Sequence, residues 1–360
     1  MTFEKFIHTL IEREVIPGIS LLIGKGENII LERHYGYKSL LPHRVALEEN
    51  TLYDVASLTK PLVTALAAVY LIEKGELSLD AVVKKYFPVL PFDIEVSHLL
   101  THTSGLPAWF PFYLYGEDYL DTFKRLRLEA KPGRKVNYSC VGYILLHYLI
   151  EKVSGVPFKD FIEQLIFKPL GLKDTYLQPP PGLRERAAPT EAGNRYEREM
   201  AQKEHGRLAS AFAWRDYLIQ GETHDANSYY LGGSAGNAGL FSTAAGLFRL
   251  SLEFFPSTGL LLKPESIALC WKNFTPFKKS HRSLGFKLNS SFITSGGRAL
   301  SREAIGHSGF TGASLWLDPR GEYKYILLSN RIHPRVKAFN FNRARRKLHG
   351  LLKREGLASK

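Results

Sequence analysis

The alternation of apolar and polar positions divides the 360-residue chain into two ends with strand patterns and a middle with helix patterns. A helix pattern over about Phe3–Glu14 precedes two strand patterns, Gly18–Ile23 and Asn28–Gly36, which a Gly-Lys-Gly-Glu turn separates. Four more strand patterns lie near the C-terminus, at Leu284–Leu288, Ala299–His307, Ala313–Leu317 and Tyr323–Ser329. Strands from both chain ends around a helical middle predict an α/β (α+β) fold with one antiparallel sheet flanked by helices.

The same patterns predict a single unit over residues 1–360, with its sheet part at 1–54 and 265–360. The helical part then covers residues 55–264. Within it, residues 178–206 are polar and rich in turn residues, and they begin with three prolines at 179–181. We expect this segment to be a long, mobile surface excursion.

The most informative stretch is Ser57-Leu58-Thr59-Lys60, because it opens a helix pattern that is apolar almost all round. Such a helix is buried in the core. A serine at its start lies near unpaired backbone N–H groups, which stabilise developing negative charge. Lys60 projects from the same helical face three residues later. Since a serine hydroxyl is a weak nucleophile without a base, this spacing predicts Ser57 as a nucleophile and Lys60 as part of its activation.

Two further motifs follow in the chain, Tyr138-Ser139-Cys140 in a loop that enters an apolar helix and His307-Ser308-Gly309 at the end of a strand. In this order the three motifs resemble the β-lactamase and penicillin-binding protein superfamily, most closely its class C-like branch, which includes esterases and D-amino peptidases. The stretches 99–107 and 306–312 support the resemblance. It implies a β-lactamase-like fold whose active site lies in the cleft between the sheet and the helical part.

The resemblance also implies roles for single residues. Ser57 is the nucleophile, and Lys60 and Tyr138 jointly move its proton; the sequence does not say which of the two is the base. His307 stands where many relatives carry lysine, and we expect it to hydrogen-bond the Tyr138 hydroxyl and to add partial positive charge. The backbone N–H groups of Ser57 and Phe310 form the oxyanion hole, where each fixed amide contributes about 3 to 4 kcal/mol to transition-state stabilisation.

Substrate contacts are expected from Cys140, Ser308 and Gly309, and from His224 and Asn227 in a rim element of the cleft. Cys140 departs from the family pattern, because many relatives have asparagine there to hold the amide of a penicillin or peptide. Cysteine is smaller and has a weak S–H donor. We therefore expect activated esters to be better substrates than β-lactams.

Two other patterns are less informative. His98 and His102 have the i, i+4 spacing of a zinc site, but the glutamate of a His-Glu-x-x-His motif is missing, so we expect structural hydrogen bonds. The glycine-rich run 232–239 lacks the Gly-Lys-Ser/Thr ending of a phosphate loop and is interpreted as a turn beside the cleft. No metal or cofactor is expected.

Composition narrows the setting. Two cysteines do not make a disulfide framework, and the first residues lack a secretory pattern. The apolar run after Ser57 is shorter than we expect for a membrane span. We therefore expect a cytoplasmic protein. The net charge of +13 is concentrated partly in a C-terminal helix, whose basic face we expect to be solvated. The chain lacks a recognised nucleic-acid motif.

The sequence thus predicts a serine hydrolase that acts through an acyl-enzyme on a small ester, amide or β-lactam. Ester hydrolysis is favoured, ahead of D-amino peptidase or weak β-lactamase activity. The alternative from another class is a non-hydrolytic relative that binds a ligand, but such a protein has no need to retain Ser57, Lys60 and Tyr138 together. Neither a nucleic acid nor a membrane is expected as a partner, and the oligomeric state is not predicted.

Overall fold

A seven-stranded antiparallel sheet joins the two ends of the chain. The computed structural model describes residues 1–116 and 118–358. The strands of the large sheet have the order β3-β2-β1-β10-β9-β8-β7. Their bounds are β1 (Gly18–Lys25), β2 (Asn28–Ser39), β3 (Val45–Ala46), β7 (Lys287–Leu288), β8 (Ile305–Ser308), β9 (Ser314–Asp318) and β10 (Tyr323–Leu328). Strands β1 and β10, from opposite chain ends, pair antiparallel at the centre, which confirms the predicted sheet.

The sheet separates two apolar cores. In β1, Leu22 contributes to the large core on the helical side, whereas Leu21 and Ile23 contribute to a smaller core on the other side. Because successive strand residues point to opposite faces, a central strand buried on both faces is apolar throughout. Helices near both termini cover the smaller core. The α-helices are α1 (Phe3–Glu12), α2 (Leu66–Glu73), α3 (Val96–Leu100), α4 (Tyr119–Phe123), α5 (Cys140–Ser154), α6 (Phe158–Ile162), α7 (Arg195–Ala211), α8 (Ala226–Tyr230), α9 (Ala244–Ser251), α10 (Pro264–Trp271) and α11 (Phe341–Arg354).

The helix that carries the Ser-x-x-Lys motif lies in the large core, as its apolar pattern predicts. It begins as a 3₁₀ turn at Ala56–Leu58, widens to a π-helix at Lys60–Ala65 and continues as α2. By length and composition the 18 residues Ala56–Glu73 are sufficient to cross a membrane, contrary to the sequence expectation. However, 78% of this stretch is buried inside the protein, as in the core helix of a soluble fold.

The prediction that residues 178–206 form a surface excursion is wrong for the middle of that segment. Residues 187–191 are buried. The Ala188 N–H donates to the Leu52 carbonyl at 2.8 Å, and the Thr190 N–H donates to the Ile219 carbonyl at 2.8 Å. Neighbouring segments thus satisfy the backbone groups of these buried residues, which a composition pattern does not reveal.

Other differences concern strand lengths. The strands β7 and β8 are shorter than predicted, and β8 begins at Ile305 rather than at Ala299. The preceding residues form a 3₁₀ turn at Gly297–Ala299, and the Ser301 N–H is held by the Asp318 carboxylate at 2.8 Å.

A second sheet in the helical part, which the sequence did not predict, has the order β4-β6-β5. Its strands are β4 (Tyr53–Asp54), β5 (Thr175–Leu177) and β6 (Leu240–Ser242).

Candidate active site

A tight turn presents Ser57 to the cleft. Ala56, immediately before it, has a positive φ of 47°, a backbone conformation that non-glycine residues adopt at an energetic cost. The Asp54 carboxylate accepts the Ala56 N–H at 2.8 Å, and the Thr59 hydroxyl donates to the Ala56 carbonyl at 2.6 Å. Both neighbours of Ser57 in sequence, Ala56 and Leu58, are buried, whereas Ser57 itself is partly exposed. The surrounding hydrogen bonds therefore hold a strained turn that exposes one hydroxyl.

Lys60 lies beneath this serine and is fully buried. Its Nζ donates to Ser57 Oγ at 3.0 Å and to the Asn237 carbonyl at 2.8 Å. The second acceptor belongs to the glycine-rich run 232–239, which confirms that this run is a turn beside the cleft. At Gly236, a Cβ atom would lie 2.2 Å from the Tyr143 carbonyl oxygen, so only glycine allows this close approach.

The loop before α5 brings Tyr138 to the same point. The Ser139 N–H donates to Nδ1 of His102 at 3.1 Å, and the Ser139 hydroxyl caps α5 by accepting the Gly142 N–H at 3.0 Å. The His102 ring packs 4.5 Å from the Tyr138 ring, centroid to centroid. Tyr138 then lines the same cavity as Ser57, and the centroid of its ring lies 5.1 Å from Lys60 Nζ. The predicted trio of Ser57, Lys60 and Tyr138 is thus assembled.

The protonation states of the trio follow from burial and mutual charge. Burial lowers the pKa of Lys60, but the negative charge that Cys140 and Tyr138 carry when deprotonated raises it, and the net direction is upward. Burial raises the pKa of the Tyr138 phenol, and the Lys60 cation opposes that shift only in part. Tyr138 is therefore a neutral phenol at neutral pH, and Lys60 is an ammonium whenever Tyr138 is a phenolate. Neither an ammonium nor a neutral phenol accepts a proton, so the reactive state is the one in which Tyr138 is deprotonated and the Lys60 cation stabilises its phenolate.

Cys140 is the first residue of α5, and its thiol lies beside Lys60. Burial raises the pKa of this thiol, so it is a neutral S–H group. Its backbone N–H donates to the Ala108 carbonyl at 2.8 Å. The family position that many relatives fill with an amide side chain is therefore filled here by a smaller group with weak hydrogen-bonding capacity.

Strand β8 carries the third motif to the opposite wall of the cleft. A Cβ atom at Gly309 would lie 2.4 Å from the Val55 carbonyl oxygen, so glycine is needed for the strand to approach the serine turn this closely. Phe310 consequently lines the same cavity as Ser57, as the proposed oxyanion hole requires. The Thr311 hydroxyl fixes this approach by donating to the Asp54 carbonyl at 2.7 Å.

The expectation that His307 adds positive charge is wrong. Its ring is buried 5.7 Å from the Tyr138 ring, centroid to centroid. Burial lowers the pKa of His307 well below its usual value, and the nearby cations Lys60 and Arg282 lower it further. The imidazole is therefore neutral at physiological pH.

Arg282 is the residue that sequence reasoning missed. Its side chain is 8% exposed, and its guanidinium carbon lies 5.8 Å from the centroid of the Tyr138 ring. Burial lowers the pKa of Arg282, but arginine remains a cation in proteins. The available signal was an arginine two residues before an apolar strand pattern, which does not indicate where the side chain points.

The cavity beside Ser57 has a volume of about 350 Å³. Ser308 and Gly309, both predicted as substrate contacts, line it together with Tyr138, His307 and Phe310. The described lining also contains four basic residues and no acidic residue; the basic residues are Arg282, Lys287, Arg331 and Arg345. Arg345 lies on α11 and is buried, where it donates to the Gly312 and Ala313 carbonyls. The expectation of a fully solvated basic face on the C-terminal helix is therefore wrong at Arg345.

His224 and Asn227 support the cleft wall rather than contact substrate, which corrects the prediction. Asn227 is 1% exposed; its Oδ1 accepts the Phe112 N–H at 3.0 Å and its Nδ2 donates to the Phe110 carbonyl at 2.9 Å. His224 is also buried, with Nε2 3.0 Å from the Glu191 carboxylate and its ring stacked against Phe310. Both polar groups are therefore occupied within the protein.

The histidine pair considered for zinc does not share a helix face. The helix α3 ends at Leu100, and His102 follows it with a positive φ of 58°. His98 instead lies beside Glu95, and His102 binds the Ser139 backbone, so the predicted structural hydrogen bonds are confirmed. Residues 1–116 and 118–358 contain no cluster of three or more His, Cys, Asp or Glu side chains suited to a metal ion.

Comparison with known proteins agrees with this geometry. The sequence matches the Beta-lactamase family over residues 3–349. The chain belongs to this family. A protein of Salmonella enteritidis PT4 named as a putative D-alanyl-D-alanine carboxypeptidase is 29% identical over 356 residues, covering 89% of this chain and 80% of the relative. Membership of the Beta-lactamase family and these relatives support a serine hydrolase.

Solved structures share the fold at lower identity. EstCE1, described as a hydrolase with promiscuous acyltransferase activity, superposes with a TM-score of 0.74 at 19% identity, covering 98% of this chain and 97% of that one. The octameric penicillin-binding protein homologue from Pyrococcus abyssi gives 0.71 at 24% identity, covering 98% and 77%. A class C β-lactamase gives 0.72 at 20% identity, covering 98% and 96%. These likenesses establish the β-lactamase fold.

Proposed function

We propose that the protein hydrolyses small-molecule esters through an acyl-enzyme formed on Ser57. The observation that carries the proposal is the contact of Lys60 Nζ with Ser57 Oγ at 3.0 Å, with the Tyr138 ring centroid 5.1 Å from the same Nζ. A nucleophile within hydrogen-bond reach of its activating groups is the arrangement that covalent catalysis requires. The partly exposed Ser57 at the edge of a cavity gives a substrate access to that group.

The reaction follows from these contacts. In the reactive state Tyr138 is a phenolate, which the Lys60 cation stabilises. As Ser57 Oγ attacks the substrate carbonyl carbon, its proton moves to this phenolate, which becomes a neutral phenol. The backbone N–H groups of Ser57 and Phe310 hold the oxyanion of the tetrahedral intermediate. When the intermediate collapses, the alcohol leaves with the proton from Tyr138 and the acyl group stays on Ser57. Water then attacks the acyl-enzyme by the same route in reverse and releases the acid.

The preference for an ester rests on Cys140. An amide substrate is normally held by a side chain that both donates and accepts hydrogen bonds, and a neutral thiol does both weakly. An ester depends less on such an anchor, since the oxyanion hole alone holds its reactive carbonyl. The loss of the anchor therefore affects amides and β-lactams more than esters.

A second candidate function is a carboxypeptidase that acts on peptides with a free terminal carboxylate. Two observations favour it. Four basic residues line the cavity, and a carboxylate near the scissile bond complements that charge. The relatives from several Salmonella strains are also named as putative D-alanyl-D-alanine carboxypeptidases. The two candidate functions differ in the bond that is cleaved, ester or amide, and in whether the substrate carries a terminal carboxylate. The substrates used in a test therefore have to vary both features.

The first test is labelling with a fluorophosphonate, followed by intact-mass measurement and peptide mapping. One adduct on Ser57 is expected in the unmodified protein and none in Ser57→Ala. The matched control is Ser308→Ala, which removes a serine of the same cavity and keeps the label. An adduct on another serine contradicts the assignment of the nucleophile. A protein that takes no label and turns over no substrate supports the non-hydrolytic alternative.

The second test separates the two candidates with substrates that share one skeleton. An N-acyl-D-alanyl-D-alanine peptide and the matching D-lactate ester differ only in an NH or O at the scissile bond. Faster turnover of the ester supports the esterase, and comparable turnover of the peptide supports the carboxypeptidase. Each substrate is then compared with the same compound whose terminal carboxylate is a methyl ester. If the basic residues of the cavity bind the carboxylate, removing its charge raises KM.

A further inference from the structure

Two loops beside the catalytic cleft are joined into one protrusion, here called the loop pair and consisting of residues 274–281 and 289–296. The Phe292 N–H donates to the Lys279 carbonyl at 3.2 Å. The His281 N–H donates to the Ser291 hydroxyl at 2.9 Å, and the His281 ring contacts the Ser290 hydroxyl at 2.8 Å. These hydrogen bonds hold the two loops as a unit.

The loop pair displays large apolar side chains to solvent. Phe277 is 99% exposed and Phe292 is 87% exposed, more than any other large apolar residue in the described part of the chain. Ile293, next to Phe292, is 60% exposed. Scattered exposed apolar residues are normal, but apolar side chains gathered on one protrusion indicate an interaction site.

The sequence on either side of these residues is rich in positive charge. Residues 266–302 contain seven lysines and arginines and no aspartate or glutamate, whereas the whole chain carries a net charge of +13. Lys278 and Lys279 directly follow Phe277. Phe292 and Ile293 border a surface depression that is also lined by Arg298, Arg302 and Arg346. The protrusion therefore combines apolar tips with a basic surround.

The loop pair is continuous with the active site. Ser295 belongs to its second loop and lines the catalytic cavity, as do Arg282 and Lys287, which lie between the two loops in sequence. The Lys287 Nζ donates to the Ile293 carbonyl at 2.7 Å and so ties the protrusion to the cavity wall. Whatever the loop pair binds is therefore brought next to the mouth of the cleft.

We propose that the loop pair docks the protein on the surface of an anionic lipid bilayer. Phe277, Phe292 and Ile293 enter the boundary between headgroups and acyl chains, and the surrounding lysines and arginines contact anionic headgroups. Phe277 and Phe292 are almost fully exposed and lie on separate loops. A lipid bilayer accepts such side chains because it is fluid and needs no complementary pocket. A protein partner would need shaped pockets for them.

This proposal departs from the sequence expectation that no membrane is a partner, which rested on the short apolar run after Ser57 and on a solvated basic face. It does not depend on which acyl substrate Ser57 attacks. Docking would present the cleft to molecules held at the bilayer surface.

The test is sedimentation of the full chain with vesicles of phosphatidylcholine alone and of phosphatidylcholine mixed with phosphatidylglycerol. Binding to the anionic vesicles that weakens with added salt is expected. Lys278→Gln with Lys279→Gln should weaken it about thirtyfold, since each basic residue near such a surface contributes about 1 kcal/mol. Phe277→Ser with Phe292→Ser should also abolish most of the binding. Leu260→Ser is the matched control, because Leu260 is 72% exposed in a different surface depression and should have no effect.

Ester turnover, measured without vesicles, should be unchanged in all of these variants and shows that they are folded. Equal binding to neutral and anionic vesicles, or no binding to either, overturns the proposal. So does anionic binding that the phenylalanine substitutions leave intact, since it would reflect net charge alone. If the phenylalanine substitutions dissociate an oligomer seen by light scattering and no vesicle binding occurs, the loop pair is a contact between copies of this chain and the proposal is wrong.

Discussion

The guanidinium carbon of Arg282 lies 5.8 Å from the centre of the Tyr138 ring, at nearly the same distance as the neutral ring of His307. The two residues approach the same phenol with different charges. Since burial and the nearby cations keep His307 deprotonated, the positive charge next to Tyr138 comes from Arg282 and Lys60. Arg282 thus supplies the charge that the sequence assigned to position 307.

Removing the Arg282 charge should impair proton transfer. Two charges about 6 Å apart interact by about 3 kcal/mol at the effective dielectric constant of a protein, so Arg282→Gln is expected to lower kcat by at least about tenfold. It should also move the pH dependence of kcat/KM to higher pH, because the phenolate loses a stabilising cation. The control is His307→Gln, which exchanges one neutral group for another. An equal shift of the pH profile in the control would contradict this assignment of charge.

The pH profile of the unmodified enzyme follows from the Tyr138 phenol. Its pKa lies above the usual value of 10.0, so the fraction that is deprotonated grows as pH rises through the neutral and alkaline range. We expect kcat/KM to increase with pH and to show no fall from Lys60, whose pKa is also raised. Tyr138→Phe should flatten the profile and lower kcat by about a hundred- to ten-thousand-fold, with little change in KM. A bell-shaped profile centred near neutral pH would refute this scheme.

The sequence predicted those parts of the site that are set by local spacing. Ser57 and Lys60 lie three residues apart on one helix, and the strand and loop motifs at His307 and Tyr138 each have a recognisable neighbourhood. The sheet from both chain ends was equally predictable, because β1 and β10 are apolar runs with clear turns. These features depend on short stretches of sequence that encode their own geometry.

The rest depends on contacts between distant segments. Arg282 reaches Tyr138 across 144 sequence positions, and nothing in its own neighbourhood indicates that contact. The sequence predicted Asn227 as a substrate contact, but its side-chain amide is hydrogen-bonded to the backbone of Phe110 and Phe112. The charge of His307 likewise follows from its burial and its neighbouring cations and not from its residue type.

Acid should destabilise the fold through buried histidines, of which His349 on α11 is the clearest. It is 2% exposed, and neither ring nitrogen has a hydrogen-bond partner within the described residues. Burial, and to a smaller extent the positive charge of Arg345, lowers its pKa to about 3. The unfolded chain binds a proton at this histidine below about pH 6.5 while the folded chain does not, so stability is lost as pH falls. At about pH 5 the loss is about 2 kcal/mol for this one residue.

Urea unfolding at neutral pH and at about pH 5 checks this effect. In His349→Leu, the decrease in the free energy of unfolding between the two pH values should be smaller than in the unmodified protein by about 2 kcal/mol. His8→Leu is the control, because His8 is exposed on α1 and should leave the difference unchanged. An undiminished pH dependence in His349→Leu would show that this histidine is already protonated in the folded state.

The substitution Cys140→Asn tests how the cleft selects its substrate. The Cys140 thiol lies next to Lys60, at the position where relatives hold a substrate amide, and it is neutral because burial raises its pKa. An asparagine restores a strong donor and acceptor there, so acylation by penicillins and peptides should rise relative to ester turnover. A hydrogen bond of ordinary strength corresponds to a gain of about tenfold in that ratio.

Cys140→Ser is the matched control, since it adds a hydroxyl of similar size without the reach of an amide. Second-order rate constants for β-lactam acylation and for ester hydrolysis, measured on all three proteins, give the ratio. If the unmodified enzyme already hydrolyses β-lactams as fast as esters, or if asparagine leaves the ratio unmoved, Cys140 does not set this preference.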